Sequence, residues 1–243
     1  MQLLFAKYVV PVVPEGKVLE NSCVVVKDGK IVEVIGAEEA KQKYASVPES
    51  DRWEGKSHAL LPGFVNCHTH SAMTLLRGIA DDLSLMPWLQ NHIWPAEGKF
   101  ISPEFVADGT KLAIAEMIRS GTTCFNDMYF FPEEIGKVSH TAGIRAVVGL
   151  IAIGFPSAYC GSPENSQEEN MKLYIDKGIR IKEEIFSSMP LIHSIIAPHA
   201  PYSCGVEGLR YCQVCKSRRI PLQLHPTTPL TLPKPRKPPT ATA

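Results

Sequence analysis

No sign of charge dominates this chain: 25 lysines and arginines stand against 25 aspartates and glutamates in 243 residues. A protein that grips nucleic acid through its phosphates carries a basic excess or a basic stripe, and neither is present. Nor is there a basic amphipathic stretch of the kind that lies on a membrane surface. Long apolar runs are missing as well. The opening segment MQLLFAKYVVPVVPEGK is broken by Lys7, Pro11 and Pro14, well short of the roughly 20 residues that a spanning helix needs, and it lacks the charged start of a secretory leader. It reads as a strand, so a cytoplasmic protein is expected. A disulfide framework is missing too, because seven cysteines are odd in number and irregularly spaced, which fits a reducing compartment. Cys212 and Cys215 form a lone C-x-x-C with no second pair to complete a zinc site, and they read as bystanders. What these absences leave is a small neutral or mixed-charge molecule as partner, with no nucleic acid and no membrane. The oligomeric state stays open.

What is present is core-forming material, 44% hydrophobic residues, enough to bury a core in one or two domains. The stretch that organises it is LLPGFVNCHTH at residues 60–70, an apolar run ending in His68-Thr69-His70. A parallel strand buried on both faces has such a run, and functional side chains gather at its C-terminal end. Side chains alternate along a strand, so His68 and His70 point the same way, about 7 Å apart along the backbone, close enough to share one metal ion. Two solvated histidines at a polar strand exit are the plain alternative, and a short motif by itself leaves both open.

Residues 1–58 read as a small β-domain. In CVVVKDGKIVEVIG, Asp28-Gly29 separates two β-branched runs, the signal of a tight hairpin, and a short helix is expected over 38–45. From residue 59 strands alternate with helices, the mark of a parallel α/β sheet. Helices are expected over 83–100, 103–120, 132–141, 167–188 and 206–218, and strands at 60–70, 122–128, 144–153, 191–199 and 220–225. Pro103 suits an early turn and Gly121 the end of the second of these helices. The Gly, Pro and Ser-rich loop at 154–165 follows the third strand on the side where barrel active sites are built. A complete (β/α) barrel takes about 250 residues and each strand-helix-strand unit roughly 30. Residues 59–225 therefore hold an incomplete TIM-like barrel, about five of eight strands. Residues 226–243, rich in proline and threonine and without acidic side chains, read as an irregular tail.

LLPGFVNCHTHSAMTLLRG with DDLSLMPWL after it, GTTCFNDMYFF at 121–131, APHAPY at 197–202 and IPLQLH at 220–225 together resemble the metal-dependent amidohydrolases. The nearest group holds the 5-methylthioadenosine/S-adenosylhomocysteine deaminases and the N-ethylammeline chlorohydrolases. The resemblance implies that the first segment pairs with later strands in a β-sandwich beside the barrel. It implies one divalent metal ion, zinc with iron as the alternative, held by His68, His70 and His225. It places His199 against the substrate and Glu97 on the ribose. The implied reaction is hydrolytic deamination of an adenine nucleoside such as 5'-methylthioadenosine or S-adenosylhomocysteine, with dechlorination of a triazine as an alternative. His58, His92, His140 and His193 fall outside the motifs, and Asp127 is left a structural role.

The pattern is also broken. Thr228 stands where the family has a proton-shuttling glutamate, and threonine is no general base at neutral pH. Leu150 and Ser166 occupy the places nearest to two substrate-binding arginines of some relatives, and a further histidine and the metal-binding aspartate belong to later strands. No catalytic residue is assigned. The expectation is a chain cut short or read out of frame near its end, with little or no deaminase activity alone. An inactive remnant of such a hydrolase is the competing reading.

Overall fold

The computed structural model describes residues 1–200, 203–205, 209 and 221–223. Asp28 and Gly29 both take positive φ, 50° and 73°, the backbone of a primed two-residue turn. Across it β2 (Leu19–Lys27) runs antiparallel to β3 (Lys30–Gly36). Strand β1 (Gln2–Val9) pairs antiparallel with β2 and parallel with β4 (Arg52–Leu60), giving a sheet ordered β3-β2-β1-β4. One face buries Leu3, Phe5, Cys23 and Val25 against Ala40 of helix α1 (Ala37–Lys43). This single mixed sheet with one helix makes up a compact unit, Met1–Gly63.

The described residues from Phe64 onward form the second unit. Its sheet is parallel and ordered β5-β6-β7-β8, from β5 (Phe64–Thr69), β6 (Thr122–Tyr129), β7 (Arg145–Ala152) and β8 (Ile192–Pro198). A fifth strand begins beside β8: Leu222 bridges to Ile196 in parallel, Ile196 N donates to Pro221 O, and Gln223 N donates to Ile196 O. Of the helix expected over 206–218 only Leu209, which is helical, is described; the rest of it, the end of that strand with His225 and Thr228, and the tail lie outside the described residues. The incomplete (β/α) barrel expected from the sequence is thus present as an open sheet among the described residues. No helix among them is long and apolar enough to cross a membrane.

Three helices cover this sheet for readable reasons. In α4 (Pro103–Arg119) the Ser102 hydroxyl accepts from Phe105 N, Pro103 opens the first turn, and Gly121 follows the end at φ 83°. Helix α5 (Pro132–Ala142) ends on Gly143 in the left-handed region. Helix α6 (Gln167–Arg180) starts with a reciprocal cap between Ser166 and Glu169.

Two expectations need correction. The segment expected as one helix over 83–100 is α2 (Leu85–Trp88), a π-helical turn (Leu89–Ile93) and α3 (Trp94–Phe100). Pro95 accounts for it: proline has no N–H to give, and its ring would strike the carbonyl of Asn91 in regular α geometry, so the turn before it widens. The long helix expected to Ser188 likewise passes into a π turn (Ile181–Ile185) and a short 3-10 turn (Phe186–Ser188). The second correction concerns β5, whose apolar run suggested burial on both faces. Phe64 and Val65 are each 62% exposed, because β5 has a sheet partner on one side only among the described residues. Strand β7, with a partner on each side, is buried along nearly its whole length.

The turn after β5 is clamped by α4. A Cβ on Gly109 would lie 2.4 Å from Ala72 O, and Ser71 Oγ sits 3.1 Å from Thr110 Oγ1. Gly109→Ala is therefore expected to push α4 off the Ser71–Leu76 turn and to lower stability by about 1–3 kcal/mol. Urea unfolding checks this, and a change within about 0.5 kcal/mol, as for an uncrowded surface site, contradicts it.

Candidate metal and nucleoside site

His68 and His70 emerge at the C-terminal end of β5, and their rings meet edge to face with centroids 4.9 Å apart. The alternation that puts them together is not that of a plain strand. Against β6, Asn66 pairs with Phe125 and Thr69 with Asp127, so β5 carries one extra residue between, a bulge of the sort that re-aims side chains beside active sites. His70 Nδ1 lies 2.5 Å from Met128 O. A carbonyl only accepts, so Nδ1 carries the proton and Nε2 the lone pair, the tautomer a metal ligand needs. Burial holds the His68 imidazolium below its ordinary pKa, neighbouring His70 lowers it further, and Asp127 opposes both.

Asp127, left a structural role by the sequence, is what anchors this end. It is buried, and its Oδ2 accepts from Ser71 N at 2.6 Å and from Thr69 Oγ1 at 2.7 Å. Burial pushes its carboxyl above the usual range while these donors pull it back. Its Oδ1 is buried with no hydrogen-bond partner among the described residues. Two adjacent imidazoles near a carboxylate oxygen that has no hydrogen-bond partner among the described residues suit a divalent metal ion, though as part of a ligand set only. Among the described residues no three His, Cys, Asp or Glu side chains gather to hold a metal, and His225, the third ligand expected, lies outside them.

His199 follows β8, and its N–H donates to Ala152 O at 3.0 Å. Its Nδ1 is 2.9 Å from Ser203 Oγ. Ser203 Oγ also lies 3.0 Å from Ala200 O; with its one proton given to that carbonyl it accepts from Nδ1–H, which leaves the lone pair of the ring on Nε2. Burial, with His70 a smaller cause, brings the His199 pKa down to about 4. The ring is neutral at physiological pH.

His70 and His199 open onto one cavity of about 310 Å3, together with Glu97, Tyr129 and an apolar wall that includes Trp88, Ile93, Phe130 and Phe155. That volume is at the small end of ligand sites, and an apolar wall with a few convergent polar groups is their usual character. Glu97 reaches it from α3. Its Oε1 accepts from the Tyr129 hydroxyl at 2.7 Å. Burial raises the Glu97 carboxyl pKa, and the tyrosine opposes that shift. Tyr129 itself is raised far above the ordinary phenol, by burial first and by the Glu97 charge second.

Of the expected site residues, His68 adjoins His70, while His70, His199 and Glu97 line the cavity. Tyr129 was missed. Its one signal in sequence is that a tyrosine at the end of a buried strand needs a partner for its hydroxyl, which does not say which partner. His193, six residues before His199, is exposed and lines no part of the cavity. Replacing Asp127 by alanine removes the acceptor for the Ser71 N–H and the Thr69 hydroxyl. It is expected to destabilise the protein by about 1–3 kcal/mol, whereas Asp127→Asn, which keeps one acceptor oxygen, should lose less. Denaturant titration of both variants checks the order, and equal losses contradict it.

The pattern of the amidohydrolase family matches residues 59–229. The chain is 39% identical over 224 residues to the 5-methylthioadenosine/S-adenosylhomocysteine deaminase of Saccharophagus degradans, covering 92% of this chain and 48% of that one. It is 43% identical over 221 residues to the protein of the same name in Thermodesulfovibrio yellowstonii, covering 90% and 48%. Among solved structures, an adenosine deaminase from Xanthomonas campestris with bound zinc superposes with a TM-score of 0.82 at 43% identity, over 92% of this chain and 48% of that one. The chain thus spans about half the length of the curated relatives it matches. With the family pattern running through the strands that carry the histidines, the chain belongs to the amidohydrolase family.

Proposed function

We propose that this chain supplies the metal-binding and nucleoside-binding part of an aminohydrolase that deaminates an adenine nucleoside such as 5'-methylthioadenosine or S-adenosylhomocysteine. The observation that carries this reading is the meeting of His70, His199 and Glu97 on one mostly apolar cavity. The naming of the relatives and the zinc in the Xanthomonas neighbour support it. One divalent ion, zinc with iron as the alternative, would be held by His68, His70 and His225. When bound, such an ion supplies Lewis-acid activation of water at neutral pH.

The chain's own groups do the rest of the recognition. The apolar wall excludes water from around a flat heteroaromatic ring and so strengthens each polar contact inside. His199, neutral and with its lone pair on Nε2, offers an acceptor to a ring N–H or an amino group. Glu97, an acceptor when ionised, suits the hydroxyls of a sugar. Backbone and side-chain hydrogen bonds fix both groups before ligand arrives, which reduces the ordering cost of binding.

An aminohydrolase differs from a plain nucleoside-binding module in preferring the tetrahedral carbon formed on hydration of the purine. The zinc-loaded protein is expected to bind a tetrahedral-carbon analogue of the nucleoside at least about 100-fold more tightly than the nucleoside. Removing the metal should abolish that margin. Calorimetry with and without a chelator reads both, and equal affinity for analogue and nucleoside in the metal-loaded protein would sink the reading.

A further inference from the structure

We infer that Tyr129 is a positioning residue for a vicinal diol on the ligand, holding the Glu97 carboxylate as one of two adjacent acceptors while its own hydroxyl oxygen provides the other. The inference rests on the nucleoside reading above and adds to it a residue that no sequence motif assigned. Tyr129 ends β6, a strand paired on both sides, with its backbone in register with Leu150 of β7. Its ring packs between His70, at 6.1 Å between centroids, and Phe130, at 5.3 Å. A ring held this way directs its hydroxyl along one line, and along that line lies Glu97 Oε1 at 2.7 Å.

The protonation pattern decides what such a pair can receive. A carboxylate only accepts, so the single phenolic proton is committed to Glu97, and the Tyr129 oxygen turns its remaining lone-pair capacity outward. The carboxylate keeps acceptor positions beyond the one the tyrosine fills. Two acceptors 2.7 Å apart match the spacing of neighbouring hydroxyls on a five-membered sugar ring, each of which brings a donor. A phosphate or carboxylate in the same place would meet acceptors and a negative charge, and an apolar group would leave the acceptors desolvated without a partner.

The π turn before α3 belongs to the same device. It is imposed by Pro95 and sets the helical phase that brings Glu97 to the cavity. With tyrosine replaced by phenylalanine, the Glu97 carboxylate would lose its fixed donor beside Ile93 and Phe130, and its hold on the diol would loosen.

The test compares 5'-methylthioadenosine with its 2',3'-dideoxy counterpart, by calorimetry, in the zinc-loaded protein and in Tyr129→Phe, Glu97→Gln and the double variant. The unaltered protein is expected to prefer the diol compound, and Tyr129→Phe to cut that preference about tenfold or more. The double variant should lose little beyond Glu97→Gln alone, because both substitutions remove one device. Glu97→Asp keeps the charge but draws the carboxylate away from the phenol, and it should lose the preference as well, which gives a second reading should Tyr129→Phe fail to fold. A merely structural tyrosine would lower both affinities alike and leave the preference intact, and that result overturns the inference while the nucleoside reading stands. Binding of both compounds without preference in the unaltered protein overturns the inference together with the placing of the sugar. Binding of neither compound overturns the nucleoside reading itself.

Discussion

Asp127 sits at the C-terminal end of β6 with its carboxylate turned toward the end of β5, and the placing of the two histidines depends on what that carboxylate accepts. Thr69 lies between them in sequence and gives its hydroxyl to Oδ2, while Ser71, directly after His70, gives its backbone N–H to the same atom. Both neighbours of His70 are therefore tied to one buried group, and His70 itself donates to the next carbonyl along β6. A fully buried carboxylate is an expensive anchor unless its donors are good. Two short hydrogen bonds offset part of that cost, and the second oxygen has no hydrogen-bond partner among the described residues.

From this anchor the polarity of the cavity follows outward. Near His70 and His199 the groups are imidazoles, and burial keeps that of His199 a neutral base. The Tyr129 ring packs near His70 and its hydroxyl reaches Glu97, and the helical segment presents Ile93, Leu89, Trp88 and Leu85 to the same space. On the function proposed above, a flat base, then a hydroxylated sugar, then an uncharged tail would be the order of groups along this cavity. Because every one of these side chains stands at the C-terminal end of a parallel strand or on the helical segment after β5, the fold explains why they meet.

How much of this was legible in the sequence differs from element to element. The Asp28-Gly29 hairpin could be read because only a few residues tolerate positive φ at both turn positions. Helix α4 could be read because Ser102, Pro103 and Gly121 each satisfy a local rule at its ends. The H-x-H pair was visible in the sequence, but the bulge in β5 that re-aims it was not, and the family resemblance pointed to Glu97 and His199. The rest depends on contacts that sequence spacing does not contain. The exposure of Phe64 and Val65 is set by which strand lies next to β5. The partner of Tyr129 is set by a π turn more than thirty residues earlier in the chain. The tie from Asp127 to Ser71 joins residues 56 positions apart, and a lone aspartate at a strand end gives no hint of it.

The central claim is that His68 and His70 bind one zinc ion together. X-ray absorption at the zinc edge tests it most directly. The account predicts imidazole nitrogens at about 2.0–2.1 Å from zinc, with that signal reduced in His68→Ala and in His70→Ala alike. Zinc surrounded by oxygen or sulfur alone, or an imidazole signal that survives both substitutions, would contradict it.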